Sequence, residues 1–138
     1  MGIEKSLVLI KPDAVERNLI GKVLEVYEKE NLTVKHMKMD KISKDFARIH
    51  YNEHRGKDFF DSLINYITRG NLVALVLEGE NAISKIRAIN GSVNCENDSI
   101  STIRRRFAIS NTENTVHSSD SIESAKREIE LWFPNISE

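Results

Sequence analysis

The segment Asn114-Thr115-Val116-His117-Ser118-Ser119-Asp120-Ser121 sets one histidine at the end of a short extended run, directly ahead of a helix signal. Ile122, Ala125, Ile129 and Trp132 then fall on one helical face. Asp120, Glu123 and the serines around them supply N-cap chemistry. A helix start offers free backbone N–H groups and the positive end of the dipole, so it attracts phosphate. Histidine in that place can attack phosphorus, which points to phosphoryl transfer through a phosphohistidine.

Three cations bear on that reading. Lys11 follows the first apolar run, Arg87 lies on a helical stretch, and Arg104 sits in Thr102-Ile103-Arg104 after a long polar segment. Arginine offers a bidentate fork to phosphate and lysine a point charge. Their convergence on a polyphosphate is not legible in one dimension, where each by itself reads first as a solvated surface cation. His50 and His54 stand i, i+4, but zinc needs further ligands and Cys95 is poor support. They read as surface histidines on a polar helix end, and His36 as a strand or surface residue.

The elements that must position these groups follow from periodicity. Ser6–Ile10 reads as a buried strand stopped by Lys11-Pro12, and Ile20, Val23, Leu24 and Tyr27 as a helix that Asn31 ends. Thr33–Ile42 is strand-like with a phase change between Val34 and Met37, from a bulge or a misplaced end. Ser43 caps a helix to Ile49, with Phe46 and Ile49 facing inward. Phe59, Phe60, Leu63 and Ile67 suggest a helix ended by Gly70; Leu72–Leu77 is the clearest strand. Asn81–Asn90 is helical, residues 91–101 are polar and irregular, and Thr115–Val116 is a short strand before the last helix. The order β-α-β-α-α-β-α-loop-β-α predicts an α+β, ferredoxin-like (split βαβ) sandwich: a four-stranded antiparallel sheet covered by helices. A doubly wound sheet expects more strands and a Gly-rich first turn, where this chain has Lys11-Pro12-Asp13-Ala14.

Length and composition bound the rest. The 138 residues suit one domain over 1–138, with 40% hydrophobic and 30% charged residues. Net charge is −1, which gives no global basic field for nucleic acid. A single cysteine excludes an internal disulfide framework, and no apolar run is long enough for a membrane helix. A cytoplasmic protein is the expectation.

From about residue 4 to 133 the chain resembles the nucleoside diphosphate kinase family. The carrying pieces are Lys11-Pro12-Asp13-Ala14, His50-Tyr51 with Phe59-Phe60, and Thr102-Ile103-Arg104. The most specific is Asn114-x-x-His117-x-Ser119-Asp120-Ser121, followed by Glu123-Ser124-Ala125 and Glu128-Ile129-x-x-Trp132-Phe133. The resemblance implies a ferredoxin-like core assembled as a homo-hexamer or tetramer. It implies a ping-pong reaction in which a nucleoside triphosphate phosphorylates His117 and a nucleoside diphosphate collects the group. By similarity, Nδ1 of His117 attacks while Glu128 holds Nε2–H, and Ser119 supports the pair. Tyr51, Arg87 and Arg104 match residues around the phosphates; Lys11 and Asn114 match ribose and phosphate contacts. Phe59 matches a base-stacking platform and Leu63 the same slot. Mg2+ arrives with the nucleotide, with Asp120 touching it through water. No membrane and no nucleic acid are required.

The chain departs from the family pattern in places. Val93 stands where a phosphate-binding threonine is usual, with Ser92 beside it, and Asn111 where an apolar residue is usual. Cys95 and Ile100-Ser101 replace prolines and a glycine, Arg105-Arg106 add charge, and Ser118 replaces a small glycine or alanine. These departures motivate a second reading, a catalytically weakened nucleotide- or partner-binding module on the same fold. A nucleic-acid binder would rest on Arg104–Arg106 alone, without aromatic interleaving.

Overall fold

The computed structural model describes residues 2–91, 102–108 and 115–135. Four strands form one sheet in the order β2-β3-β1-β4: β1 (Ile3–Ile10), β2 (Thr33–Asp40), β3 (Leu72–Glu80) and β4 (Val116–Ser118). Every neighbouring pair is antiparallel. This is the ferredoxin-like α+β plan that the element order predicts. The two central strands are the apolar runs, buried on both faces: Leu7 to Ile10 in β1 and Leu72 to Leu77 in β3. That double burial explains why they read as continuous apolar stretches instead of alternating ones.

Helices cover both faces. On one, Val8, Ile10, Val73, Leu75 and Leu77 pack against α2 (Ile20–Lys29) and α5 (Ala82–Asn90) through Val23, Tyr27 and Ile86. On the other, Leu7, Leu9, Ala74 and Val76 meet α3 (Lys44–His50), α4 (Phe60–Ile67) and α7 (Ile122–Trp132) through Ala47, Ile64, Ile67, Ile129 and Trp132. The phase change in the second strand is a bulge: the pairing with β3 shifts between Val34 and His36. Asn31 ends the α2 region in a left-handed conformation at φ 64, which asparagine tolerates better than most residues.

Several expectations need correction. Two short helices were not anticipated: α1 (Pro12–Glu16), with proline in its first turn, and α6 (Ile103–Phe107), capped by the Thr102 hydroxyl. Both have five residues, too few to develop a hydrophobic period. A 3-10 turn also forms at Asn52–His54. In α3 the Ser43 cap is present, its hydroxyl accepting from Phe46 N–H, but Ile49 is 53% exposed. The buried positions near the end of that helix are Ala47 and His50. Phe59 is the N-cap of α4 and not a residue within it, and α4 closes at Ile67 before Gly70. Ile122 lies on the outer side of α7. Its cap is Ser121, which accepts from Ser124 N–H.

Candidate active site

β4 pairs with β1 through Val116, His117 and Ser118, opposite Ile10, Leu9 and Val8. His117 therefore lies inside the strand and not at its end, one residue later than the expected strand Thr115–Val116. Successive side chains alternate faces in a strand. Val116 joins the α2/α5 core, while the His117 ring lies edge-on to His50, with centroids 4.7 Å apart at 75°. The entrance to β4 is strained: Thr115 is buried and has φ 77, a costly conformation for a β-branched residue. Its carbonyl accepts from Lys11 N–H at 2.8 Å, which ties the strand of His117 to the start of α1.

The histidine is held on its inner edge. Nε2 stands 3.4 Å from Oε1 of Glu128, which is buried on α7. Ser119 donates to that same oxygen at 2.8 Å and accepts from Leu7 N–H at 3.2 Å. Glu128 reads from spacing as an exposed helix glutamate; the Ile122–Trp132 helix instead turns it under the sheet end. Its second oxygen is 3.8 Å from Arg127. The His117 side chain keeps 21% exposure, so its ring is reached from solvent while its inner edge is fixed.

His50 is not the surface histidine that its spacing suggests. It is buried, and Trp132 donates its indole N–H to His50 Nδ1 at 3.1 Å. Burial, then His117 and nearby cations, push its pKa well below the ordinary histidine range. It is a neutral imidazole whose Nε2 carries the proton. The side-chain nitrogens of His50 and His117 and a Glu128 oxygen lie within 4.8 Å of one another. The tautomer speaks against a metal there, because ligation by Nε2 would require the proton to move to Nδ1 and confront the Trp132 N–H. His50 sits at the spacing of an inward residue three after Ala47, and that was its only signal.

The remaining predicted residues divide. Tyr51 is buried, with its ring 6.4 Å from that of His117; burial, then Glu128, raise its phenol pKa, so it is a neutral donor. Lys11 is buried, and its pKa is lowered to about 7, by burial and then by Arg104, with Asp13 opposing. Arg104 spans the base of the site, donating to Gly91 O at 2.8 Å and Val116 O at 2.7 Å. It braces β4 as well as supplying charge. Arg87 is exposed on α5 and acts on Asp120, whose carboxyl is held below the usual range by the Ser124 hydrogen bond first and by Arg87 and Ser121 after it. Asp120 is itself exposed, a hard oxygen ligand open to a hydrated cation. Phe59 is 46% exposed at the head of α4, with His54 at 5.5 Å from its ring, and Leu63 follows one turn later. Val93, Asn114, Ser92, Cys95, Asn111, Ile100 and Ser101 lie outside the described residues.

A part-exposed histidine beside a buried carboxylate, with cations nearby, is chemistry that suits phosphoryl transfer, and comparison with known proteins decides which kind. The family model for nucleoside diphosphate kinase matches residues 4–137. The chain belongs to the nucleoside diphosphate kinase family. A nucleoside diphosphate kinase of Clostridium perfringens strain SM101 is 68% identical over 136 residues, which cover 99% of this chain and 95% of that one. The Methanocaldococcus jannaschii nucleoside diphosphate kinase is 45% identical, covering 94% and 93%. Among solved structures, the Aquifex aeolicus nucleoside diphosphate kinase superposes with a TM-score of 0.93 at 36% identity, covering 96% of each chain. Members of this family are phosphotransferases that exchange the terminal phosphoryl group between nucleotides, and this chain is such a kinase. The likenesses lend no support to a non-enzymatic binding module. A nucleotide kinase of this kind works with a divalent cation. No described helix is long and apolar enough to cross a membrane.

Proposed function

We propose that His117 is the phosphorylated residue and that Glu128 and Ser119 hold it for in-line attack. The supporting observation is the 3.4 Å approach of His117 Nε2 to a buried Glu128 oxygen that Ser119 also engages. With Nε2–H turned to Glu128, Nδ1 offers its lone pair to the γ-phosphorus. The N–P bond forms as the bond from phosphorus to the β,γ-bridging oxygen breaks, and the nucleoside diphosphate leaves with that electron pair. The Nε2 proton stays in place, and Glu128 offsets the positive charge on the ring. A second nucleoside diphosphate then attacks the same phosphorus and restores the neutral imidazole. Apo hydrogen bonds of this kind are often long and tighten with substrate, so 3.4 Å suits the role.

The other side chains supply charge and position. Tyr51, Lys11, Arg87 and Arg104 surround the phosphates, with Asn114 and Val93 as further nucleotide contacts. Phe59 stacks on the base and Leu63 lines the slot. Stacking reads a π-face, so base selectivity is weak. The cation is Mg2+; Asp120 would hold it through water, and when bound it would offset negative charge on the phosphates. Residues 1–138 act as one domain of a cytoplasmic enzyme that maintains nucleoside triphosphate pools. The assembly is a homo-hexamer, with a tetramer the alternative. The edge strand β2 exposes Met37 and Met39, an apolar edge that a second copy would cover. Light scattering on the purified protein measures that stoichiometry.

Incubation with γ-labelled ATP and magnesium, followed by a GDP chase, tests the chemistry. Acid-labile label that is discharged by GDP and absent from His117→Ala is expected. No label, or label retained in His117→Ala, overturns the assignment.

A further inference from the structure

A chain of buried polar groups reaches the strand of the nucleophile from behind. Tyr27, in the last turn of α2, donates its hydroxyl to Asn90 Oδ1 at 2.6 Å, and Asn90 Nδ2–H donates to Ser118 Oγ at 3.1 Å. Tyr27 and Asn90 are essentially inaccessible, among Val23, Ile86, Val116 and other apolar side chains. Such groups are costly to bury unless bonded, so the relay has a defined geometry that an apolar contact would lack. Ser118, the residue expected to be a glycine or alanine, ends it.

The placement has a consequence for His117. Ser118 and His117 are adjacent in a three-residue strand and project to opposite faces. A tether on Ser118 from the α5 side therefore sets how far the imidazole stands out on the α7 side, over Glu128 and His50. The same tether leaves from the last residue of α5, the helix that carries Arg87 one turn earlier. Asn90 thus fixes the offset between the nucleophile's strand and the helix bearing Arg87. Near its Gly91 end, Arg104 closes a second bridge from Gly91 O to Val116 O.

We propose that Asn90, braced by Tyr27 and acting through Ser118, is a positioning residue that sets His117 for phosphoryl transfer. The proposal rests on His117 being the phosphorylated residue. Two variants separate position from stability. Asn90→Leu orphans the buried Tyr27 hydroxyl, so it lowers both thermal stability and rate. Tyr27→Phe with Asn90→Leu removes both buried polar partners, which is close to neutral for folding. In that double variant the melting temperature returns towards wild type. The single-turnover rate of His117 phosphorylation by γ-labelled ATP stays about 10- to 100-fold low, with little change in nucleotide KM, as expected when reacting atoms are misplaced by a fraction of an ångström. A double variant that recovers rate together with stability overturns the relay, since Asn90 then serves folding alone. A rate loss matched by an equal rise in KM also overturns it. Absence of label on wild type would instead sink the phosphohistidine reading, so the two failures are distinct.

Discussion

Trp132 donates its indole N–H to Nδ1 of His50 across 3.1 Å, and that bond fixes the tautomer of a histidine lying edge-on to His117. Because His50 is buried and its pKa is lowered, the folded state resists protonation there and the unfolded chain does not. Between the unfolded value near 6.5 and the lower folded value the unfolded state binds more protons, so stability falls as pH falls. Urea denaturation at pH 7.5, 6.5 and 5.5 should show a loss below about 6.5. His50→Gln keeps an acceptor for Trp132 without a titrating ring, and should flatten the decline. An identical acid response in both proteins would show that another group causes it.

Ser119 and His117 share one oxygen of Glu128. Replacing Glu128 by alanine leaves the Ser119 hydroxyl without its partner and frees the imidazole to turn. kcat should drop by about 10- to 100-fold with nucleotide KM nearly unchanged, because an orienting group acts on the chemical step. Glu128→Gln keeps the acceptor and loses only the charge, so its defect should be smaller. Steady-state kinetics over both nucleotide concentrations separates these outcomes; a KM effect without a kcat effect would assign Glu128 to binding.

Lys11 shares the sign of the His50 effect on stability, but its effect on nucleotide affinity runs the other way. Its pKa is lowered to about 7 by burial and by Arg104, so the amine loses its charge as pH rises through that value. Nucleotide affinity should then weaken between pH 7 and 9, while its contribution to folding stability rises over the interval from about 7 to 10.5, where only the unfolded state holds the proton. Titration calorimetry with ADP and magnesium at pH 6.5, 7.5 and 8.5 measures the first trend. In Lys11→Arg the charge is permanent and the trend should vanish. Affinity that is flat with pH in wild type would remove Lys11 from the phosphate contacts.

Phe59 is half exposed at the head of α4, so its ring contributes little to the core. Phe59→Ala should leave the melting temperature within a few degrees and raise KM for purine and pyrimidine nucleotides alike. A stacked base is worth about 1–3 kcal/mol, or roughly 5- to 150-fold in affinity. A loss confined to one base would replace stacking with specific recognition.

The sequence by itself determined the sheet and its longer helices, and it singled out His117. Double burial makes β1 and β3 continuous apolar runs, and the helix period from Ala125 through Trp132 puts an amphipathic helix directly after His117. Both signals are local, and local periodicity is what a chain shows in one dimension. Resemblance to the kinase family then named His117, Glu128 and the phosphate cations, roles that spacing would have left as surface charges.

Tertiary structure alone decided the partners. His50 reads as a surface histidine because its burial comes from Trp132, 82 residues later. Tyr27 and Asn90 read as core and helix-end residues, since nothing local says that they bond across 63 positions. Ser118 reads as an odd substitution until Asn90 is placed behind it. The short helices α1 and α6 escaped because five residues fix no period. The physical reason is common to all of these. A hydrogen bond between distant residues leaves no pattern along the chain, and only the sheet that stacks α2, α5 and β4 together brings its two ends within 3 Å or so.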